Sequence, residues 1–179
     1  MDHATTGPAV PAIDFVLGGA RSGKTRLALS RAEASGLVPV YVATATADDA
    51  EMAARVAAHR AERGLGWTTL EEPLDLAAAL ARSAAPDRIL VVDCLTLWLS
   101  NLMFAERDVE AETVALVEAL RQLAGPTILV SNEVGLGIVP DNALARRFRD
   151  QQGRLNQVVA AAADRVTFVA AGLALVMKA

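Results

Sequence analysis

Eight consecutive residues, Gly18-Gly19-Ala20-Arg21-Ser22-Gly23-Lys24-Thr25, fit the spacing G-x-x-x-x-G-K-[ST]. Residues of these types at this spacing handle polyphosphate. The glycines let the backbone curl so that successive N–H groups point at phosphate oxygens, Lys24 adds a positive charge, and the Thr25 hydroxyl can ligate Mg2+ where a helix begins. A dinucleotide fingerprint is the nearest competitor, but it needs glycine where Ala20 stands and has no use for the Lys-Thr pair. Of the 17 basic residues only Lys24 and Lys178 are lysine, so composition alone would have put arginine at position 24. A compact ammonium reaching bound phosphates is a reason for the exception. Chemistry on a nucleoside triphosphate is the leading reading.

Ile89-Leu90-Val91-Val92-Asp93 is an apolar run ending in a carboxylate, the form of a Walker B segment. An aspartate closing a strand is commonly a turn or helix cap, but beside a phosphate loop Asp93 is expected to hold Mg2+ directly or through water. His59 is the only histidine beyond the first few residues. Met52, Val56 and His59 fall at i, i+4 and i+7, which puts the imidazole on an apolar helix face. That spacing fits a packed core histidine as readily as a reactive one. Arg55, Arg60 and Arg63 around it suit either phosphate handling or a solvated face. The stretch from Asn132 to Pro140, with Glu133, Gly135 and Gly137, is either a substrate loop or a plain connection. Arg146, Arg147 and Arg149 open a long helix, as solvent-facing or subunit-contact residues. Trp67 and Trp98 are expected in the core or at an interface, and Cys94 is expected as a buried thiol at a strand end rather than a nucleophile.

These side chains need a frame to hold them. Strand-like runs at Ile13 to Leu17, Val38 to Thr44, Ile89 to Asp93, Thr127 to Ser131 and Val166 to Ala170 alternate with helical patterns at Lys24 to Ala34, Asp48 to Arg63, Leu74 to Arg82, Val109 to Leu123 and Asn142 to Ala163. Alternation of this kind predicts an α/β fold with a mainly parallel sheet flanked by helices. Leu173 to Lys178, after Gly172, is expected to close a hairpin as an antiparallel edge strand. In such sheets ligands sit beyond the carboxyl ends of the strands, where Thr44, Asp93, Ser131, Asn132 and Glu133 fall. Residues 13–179 are expected to form one nucleotide-binding domain, and residues 1–12 a disordered tail unlike a signal peptide.

With 53% hydrophobic and 21% charged residues the chain reads as globular, and its net charge of −4 gives no footprint for nucleic acid or an anionic membrane. The apolar run from Val166 to Met177 is too short to span a bilayer. One cysteine excludes an internal disulfide framework, which fits a reducing cytoplasm.

Taken together, Gly-Gly-Ala-Arg-Ser-Gly-Lys at the loop, Tyr41-Val42-Ala43-Thr44, Asp49-Glu51-Met52 leading to Arg55 and His59-Arg60, Asn132-Glu133-Val134-Gly135 with Gly137-Ile138-Val139-Pro140, and Arg147-Phe148-Arg149-Asp150 with Gly153-Arg154 and Asn156-Gln157 resemble the bifunctional adenosylcobinamide kinase/adenosylcobinamide-phosphate guanylyltransferase family of cobalamin biosynthesis. The resemblance covers roughly Phe15 to Lys178. It implies a RecA-like P-loop NTPase fold, a homotrimer, and Mg2+ as cofactor. It implies two reactions: ATP or GTP phosphorylates adenosylcobinamide, and GTP then donates GMP to adenosylcobinamide phosphate, releasing pyrophosphate. The second passes through a guanylylated histidine, here His59, with Ala58 where some relatives carry an adjacent histidine. Lys24 is implied as catalytic. Gly18 to Thr25, Thr44, Arg63, Glu71 and Asp93 are implied as nucleotide-binding, with Thr25 and Asp93 at the metal. Two other classes stay open, a single-activity P-loop kinase for another small hydroxyl substrate and a nucleotide-gated regulator.

Overall fold

The computed structural model describes residues 10–45 and 66–179. The expected helix from Asp48 to Arg63, with Arg55, His59 and Arg60 on it, lies outside the described residues, as does most of the expected tail.

The apolar runs form strands β1 (Ile13–Gly18), β2 (Val38–Ala43), β4 (Arg88–Asp93), β5 (Thr127–Asn132), β6 (Arg165–Ala170) and β7 (Leu173–Lys178), with a short β3 (Thr68–Glu71) not foreseen from the sequence. They make one sheet in the order β3-β2-β4-β5-β1-β6-β7. Every neighbouring pair is parallel except β6 and β7, which run antiparallel at the edge. The oldest strand in sequence, β1, therefore lies between two of the latest.

Helices cover both faces, which is why β1 and β5 are almost wholly buried and read as unbroken apolar runs rather than as alternation. Phe15, Leu17, Leu90, Val92 and Leu129 point to one face, against α2 (Leu76–Ser83), α3 (Leu95–Phe104), α4 (Val109–Leu120) and α5 (Ala143–Ala162). Val16, Ile89, Val91, Ile128 and Val130 point to the other, against α1 (Lys24–Ala34). Small residues Ala28 and Ala32, with Leu29, let α1 lie close on the sheet. Trp98 on α3 is fully buried, and its indole N–H donates to the Leu74 carbonyl at 2.8 Å.

A buried carboxylate fixes α1 to the strands. Asp14 on β1 is 1% exposed and accepts both contacts from Arg31 Nη1 at 3.0 Å, while Arg165 on β6 reaches the same carboxylate. Arg31 also donates to Thr167 Oγ1 at 3.0 Å. An ion pair of this depth costs several kcal/mol to break from one side, so the helix carrying Lys24 and Thr25 is held at its far end by charge as well as by packing.

Candidate nucleotide site at the carboxyl edge of the sheet

β1 ends at Gly18, and the chain turns through Gly19 to Gly23 into α1. Gly18 is there of necessity, because a Cβ would stand 2.4 Å from the Val169 carbonyl oxygen. Gly23, at φ +96°, is the residue before the helix, and no side chain caps the helix start. Its first N–H groups are thus left for an anion. Lys24 is nearly buried and donates through Nζ to the Gly19 carbonyl at 3.0 Å, folding over the loop. Burial pushes its pKa down, and the charge of Asp93 pulls it back up.

Asp93, ending β4, meets the loop. Thr25 Oγ1 donates to Asp93 Oδ2 at 2.8 Å, and Tyr41 OH donates to the same oxygen at 3.1 Å. Tyr41 opens one of the motifs that carry the family resemblance, but its place at Asp93 was not expected, since by itself it reads as an ordinary aromatic strand residue. Among the described residues no group of three or more His, Cys, Asp or Glu side chains converges to hold a metal. A hard dication here would take the Thr25 hydroxyl and the Asp93 carboxylate, with phosphate oxygens and water completing its shell, and such an all-oxygen set suits Mg2+.

Thr44 follows β2, and all its polar atoms are engaged within the protein. Its hydroxyl donates to the Cys94 carbonyl at 2.7 Å and accepts from the Cys94 N–H at 2.9 Å. Its own N–H donates to the Asp93 carbonyl, and its carbonyl accepts from Asn101 Nδ2 at 2.8 Å. The residue locks the chain around Asp93. Glu71, exposed at the end of β3, lies in register with Ala43 on β2, two strands from Asp93 on β4. Arg21 is exposed on the loop at φ 56°. Arg63 and His59 lie outside the described residues.

β5 separates β4 from β1, so its end sits between the aspartate and the phosphate loop. Asn132 pairs with Gly18, and the Glu133 N–H donates to the Gly18 carbonyl at 3.1 Å. A buried relay anchors this corner. Gln152 Nε2 donates to Ser131 Oγ and to Asn156 Oδ1, Asn156 Nδ2 donates to the Asn132 carbonyl, and the Asn132 N–H donates to Thr96 Oγ1. Beyond it the stretch to Pro140 carries Leu136 and Ile138 exposed, while Arg146 of α5 donates to the Pro140 and Asp141 carbonyls and ties its end down. Cys94 is buried and its thiol pKa is pushed up to about 11, chiefly by burial, which suits an inert thiol.

The β6–β7 turn closes the other side. Ala171 and Gly172 both have positive φ, as a tight two-residue hairpin turn requires, and the Gly172 N–H donates to the Ser22 carbonyl at 2.9 Å. Arg26, exposed on α1, finds no hydrogen-bond or ion-pair partner among the described residues.

Residues 14–177 match the family model described as cobinamide kinase/cobinamide phosphate guanyltransferase. The chain belongs to that family. The bifunctional adenosylcobalamin biosynthesis protein CobP of Pseudomonas aeruginosa is 53% identical over 167 residues, covering 92% of this chain and 96% of that protein. The protein CobU of Salmonella typhimurium, of the same description, is 39% identical over 179 residues, covering 92% and 98%. The solved flagellar accessory protein FlaH from Methanocaldococcus jannaschii superposes with a TM-score of 0.56 over 97% of this chain and 81% of its own, at 11% identity, a likeness of fold alone. As a member of this kinase/guanyltransferase family the chain is a bifunctional enzyme on a P-loop NTPase fold. Among the described residues no helix is long and apolar enough to cross a membrane.

Proposed function

We propose that the enzyme phosphorylates adenosylcobinamide with ATP or GTP and then transfers GMP from GTP to adenosylcobinamide phosphate through a guanylyl-histidine at His59. The observation that carries this reading is the contact of Thr25 with Asp93 at 2.8 Å beside an uncapped helix start, a polyphosphate site in a chain of this family. One site serves both donors. In the first step the acceptor hydroxyl attacks the γ-phosphorus, and the bond to the bridging oxygen breaks with its electron pair leaving on the nucleoside diphosphate. In the second, a neutral imidazole nitrogen of His59 attacks the α-phosphorus and pyrophosphate departs. The corrinoid phosphate then attacks the phosphoramidate, returning the histidine. An ordinary imidazole pKa of about 6.5 leaves the neutral form available near neutrality.

Lys24 and the loop N–H groups hold the charge that gathers on departing phosphate in both steps. Bound Mg2+, held by Thr25 and Asp93, supplies further charge neutralisation. Thr44 contributes by fixing the Asp93–Cys94 corner, and Arg63 and Glu71 contribute to nucleotide binding as the family resemblance implies. The family resemblance implies a homotrimer working in the cytoplasm, and the six exposed residues of the open edge strand β7 offer a surface for contact between copies. After incubation with GTP and Mg2+, the intact mass should rise by one GMP, acid-labile and alkali-stable, on the peptide holding His59. The His59→Asn protein should lose the adduct and guanylyl transfer yet keep cobinamide phosphorylation. A label on any other residue refutes the assignment.

A further inference from the structure

The phosphate loop has two flanks. On one, Thr25 reaches across to Asp93 on β4; on the other stand β6 and the β6–β7 turn. In a P-loop the lysine serves the β- and γ-phosphates, and here the Thr25 hydroxyl and Asp93 carboxylate would hold Mg2+ beside them. The distal phosphates therefore lie toward Asp93, and the α-phosphate falls toward the opposite flank.

Arg26 is on that flank. It follows Thr25 by one residue, about 100° around the helix. Its Nη2 lies 3.4 Å from where a Cβ on Gly23 would stand and 3.5 Å from where one on Gly172 would stand. The two glycines leave open the lane the guanidinium occupies. An exposed helical arginine is ordinarily a solvated side chain, but this one is seated over the last loop residue before Lys24 and has no partner among the described residues.

We infer that Arg26 is a further catalytic residue, whose guanidinium binds a non-bridging oxygen of the GTP α-phosphate and stabilises the charge that gathers there during guanylyl transfer. The inference rests on the two-step reading above. When the attacking nitrogen bonds to the α-phosphorus and the bond to the pyrophosphate oxygen breaks, negative charge concentrates on the α-oxygens, where a fixed guanidinium is most effective. In γ-phosphoryl transfer the α-phosphate keeps its charge unchanged, so the same group adds only binding. One arginine thereby separates two reactions that share a loop.

The test compares the parent protein with Arg26→Gln and Arg26→Lys. The GTP-dependent GMP adduct, cobinamide phosphorylation, and the affinities for the two diastereomers of the α-thio analogue of GTP are measured on each, with thermal melting as a check of folding. Arg26→Gln should slow adduct formation about 10²–10³-fold, the loss typical of one transition-state donor. For phosphorylation the lost contact should appear as a higher nucleotide KM, with kcat at saturating nucleotide changed by less than about threefold. The diastereomer preference of the parent should collapse in Arg26→Gln and partly return in Arg26→Lys. Equal losses in both reactions, unchanged rates in both, or an intact diastereomer preference would each overturn the inference. A parent protein that forms no adduct would instead sink the guanylyl-transfer reading, and the diastereomer preference would still decide whether Arg26 touches the α-phosphate.

Discussion

Replacing Asp93 with asparagine preserves shape and removes one negative charge at the meeting point of the loop, β2 and β4. Two hydroxyls, from Thr25 and Tyr41, donate to Asp93 Oδ2, and the amide oxygen of asparagine can still accept both. A bond to a charged acceptor exceeds a neutral one by about 1 kcal/mol, so the two bonds set a ceiling near 2 kcal/mol on the stability lost. For a chain of this size that is about 4–8 °C in Tm. Catalysis should suffer more. Losing an anchor for Mg2+ should lower kcat in both reactions about 10²–10³-fold, equivalent to about 3–4 kcal/mol at the barrier, and raise the Mg2+ needed for half-maximal rate. A third effect follows from Lys24. Burial already lowers its pKa and the Asp93 charge is the largest force opposing that. Without the carboxylate the pKa falls further, so the ammonium is lost at lower pH and the alkaline limb of the rate profile should shift toward neutrality. Steady-state rates across pH and Mg2+ concentration, with a melt at each pH, would check all three. If Asp93→Asn turns over like the parent with the same Mg2+ midpoint and alkaline limb, Asp93 is a structural cap and the metal assignment fails.

Cys94, with its thiol pKa raised to about 11 from 9.0, should resist alkylation by iodoacetamide near pH ~8 until denaturant exposes it, because the thiolate is the nucleophile. Its sign is that of a raised acid: the stability it contributes is complete below the unfolded pKa and is lost as pH climbs through the folded one, a slope that urea titrations should find absent in Cys94→Ala. Gly125, just before β5, has no room for a side chain, since a Cβ would stand 2.2 Å from the Ala85 carbonyl oxygen and 2.7 Å from that of Arg88. Gly125→Ala should cost at least about 1–3 kcal/mol by thermal melting, whereas Gly153→Ala, with nothing within 4 Å and a helical setting, should gain up to about 1 kcal/mol. Equal melts for the two alanine variants would contradict the packing around Gly125.

The frame was legible because its strands are buried on both faces and so appear as continuous apolar runs. Helix α3 escaped for the same reason in reverse. Leu-Thr-Leu-Trp-Leu-Ser-Asn-Leu-Met-Phe is apolar on most sides, with Leu95, Trp98, Leu99 and Leu102 fully buried, so no polar face marks a helical period. Strand β3 is four residues of mixed exposure and carries no alternation to read. At the site, Gly18 to Thr25 and Asp93 were visible from motif and strand end, and they converge. Tyr41 was not, because its role depends on β2 lying beside β4. Nor was the contact of Gly172 with Ser22, which joins residues 150 positions apart and leaves no local trace. Thr44 was visible as a polar strand end, yet its bonds turn inward to Cys94.

Strand β1 is synthesised before β5 and β6 but is inserted between them, and the loop that follows it is braced by the turn at Ala171 and Gly172. A nascent chain thus carries its phosphate-binding residues long before it has the neighbours that shape them. Both flanking strands and the bracing turn come far later in the chain than the loop, so nucleotide can stabilise only a chain in which β5, β6 and that turn have already joined the sheet. Ligand stabilisation then acts as a late check on synthesis: a chain truncated before β6 retains the entire G-x-x-x-x-G-K-T sequence and should have no measurable hold on GTP.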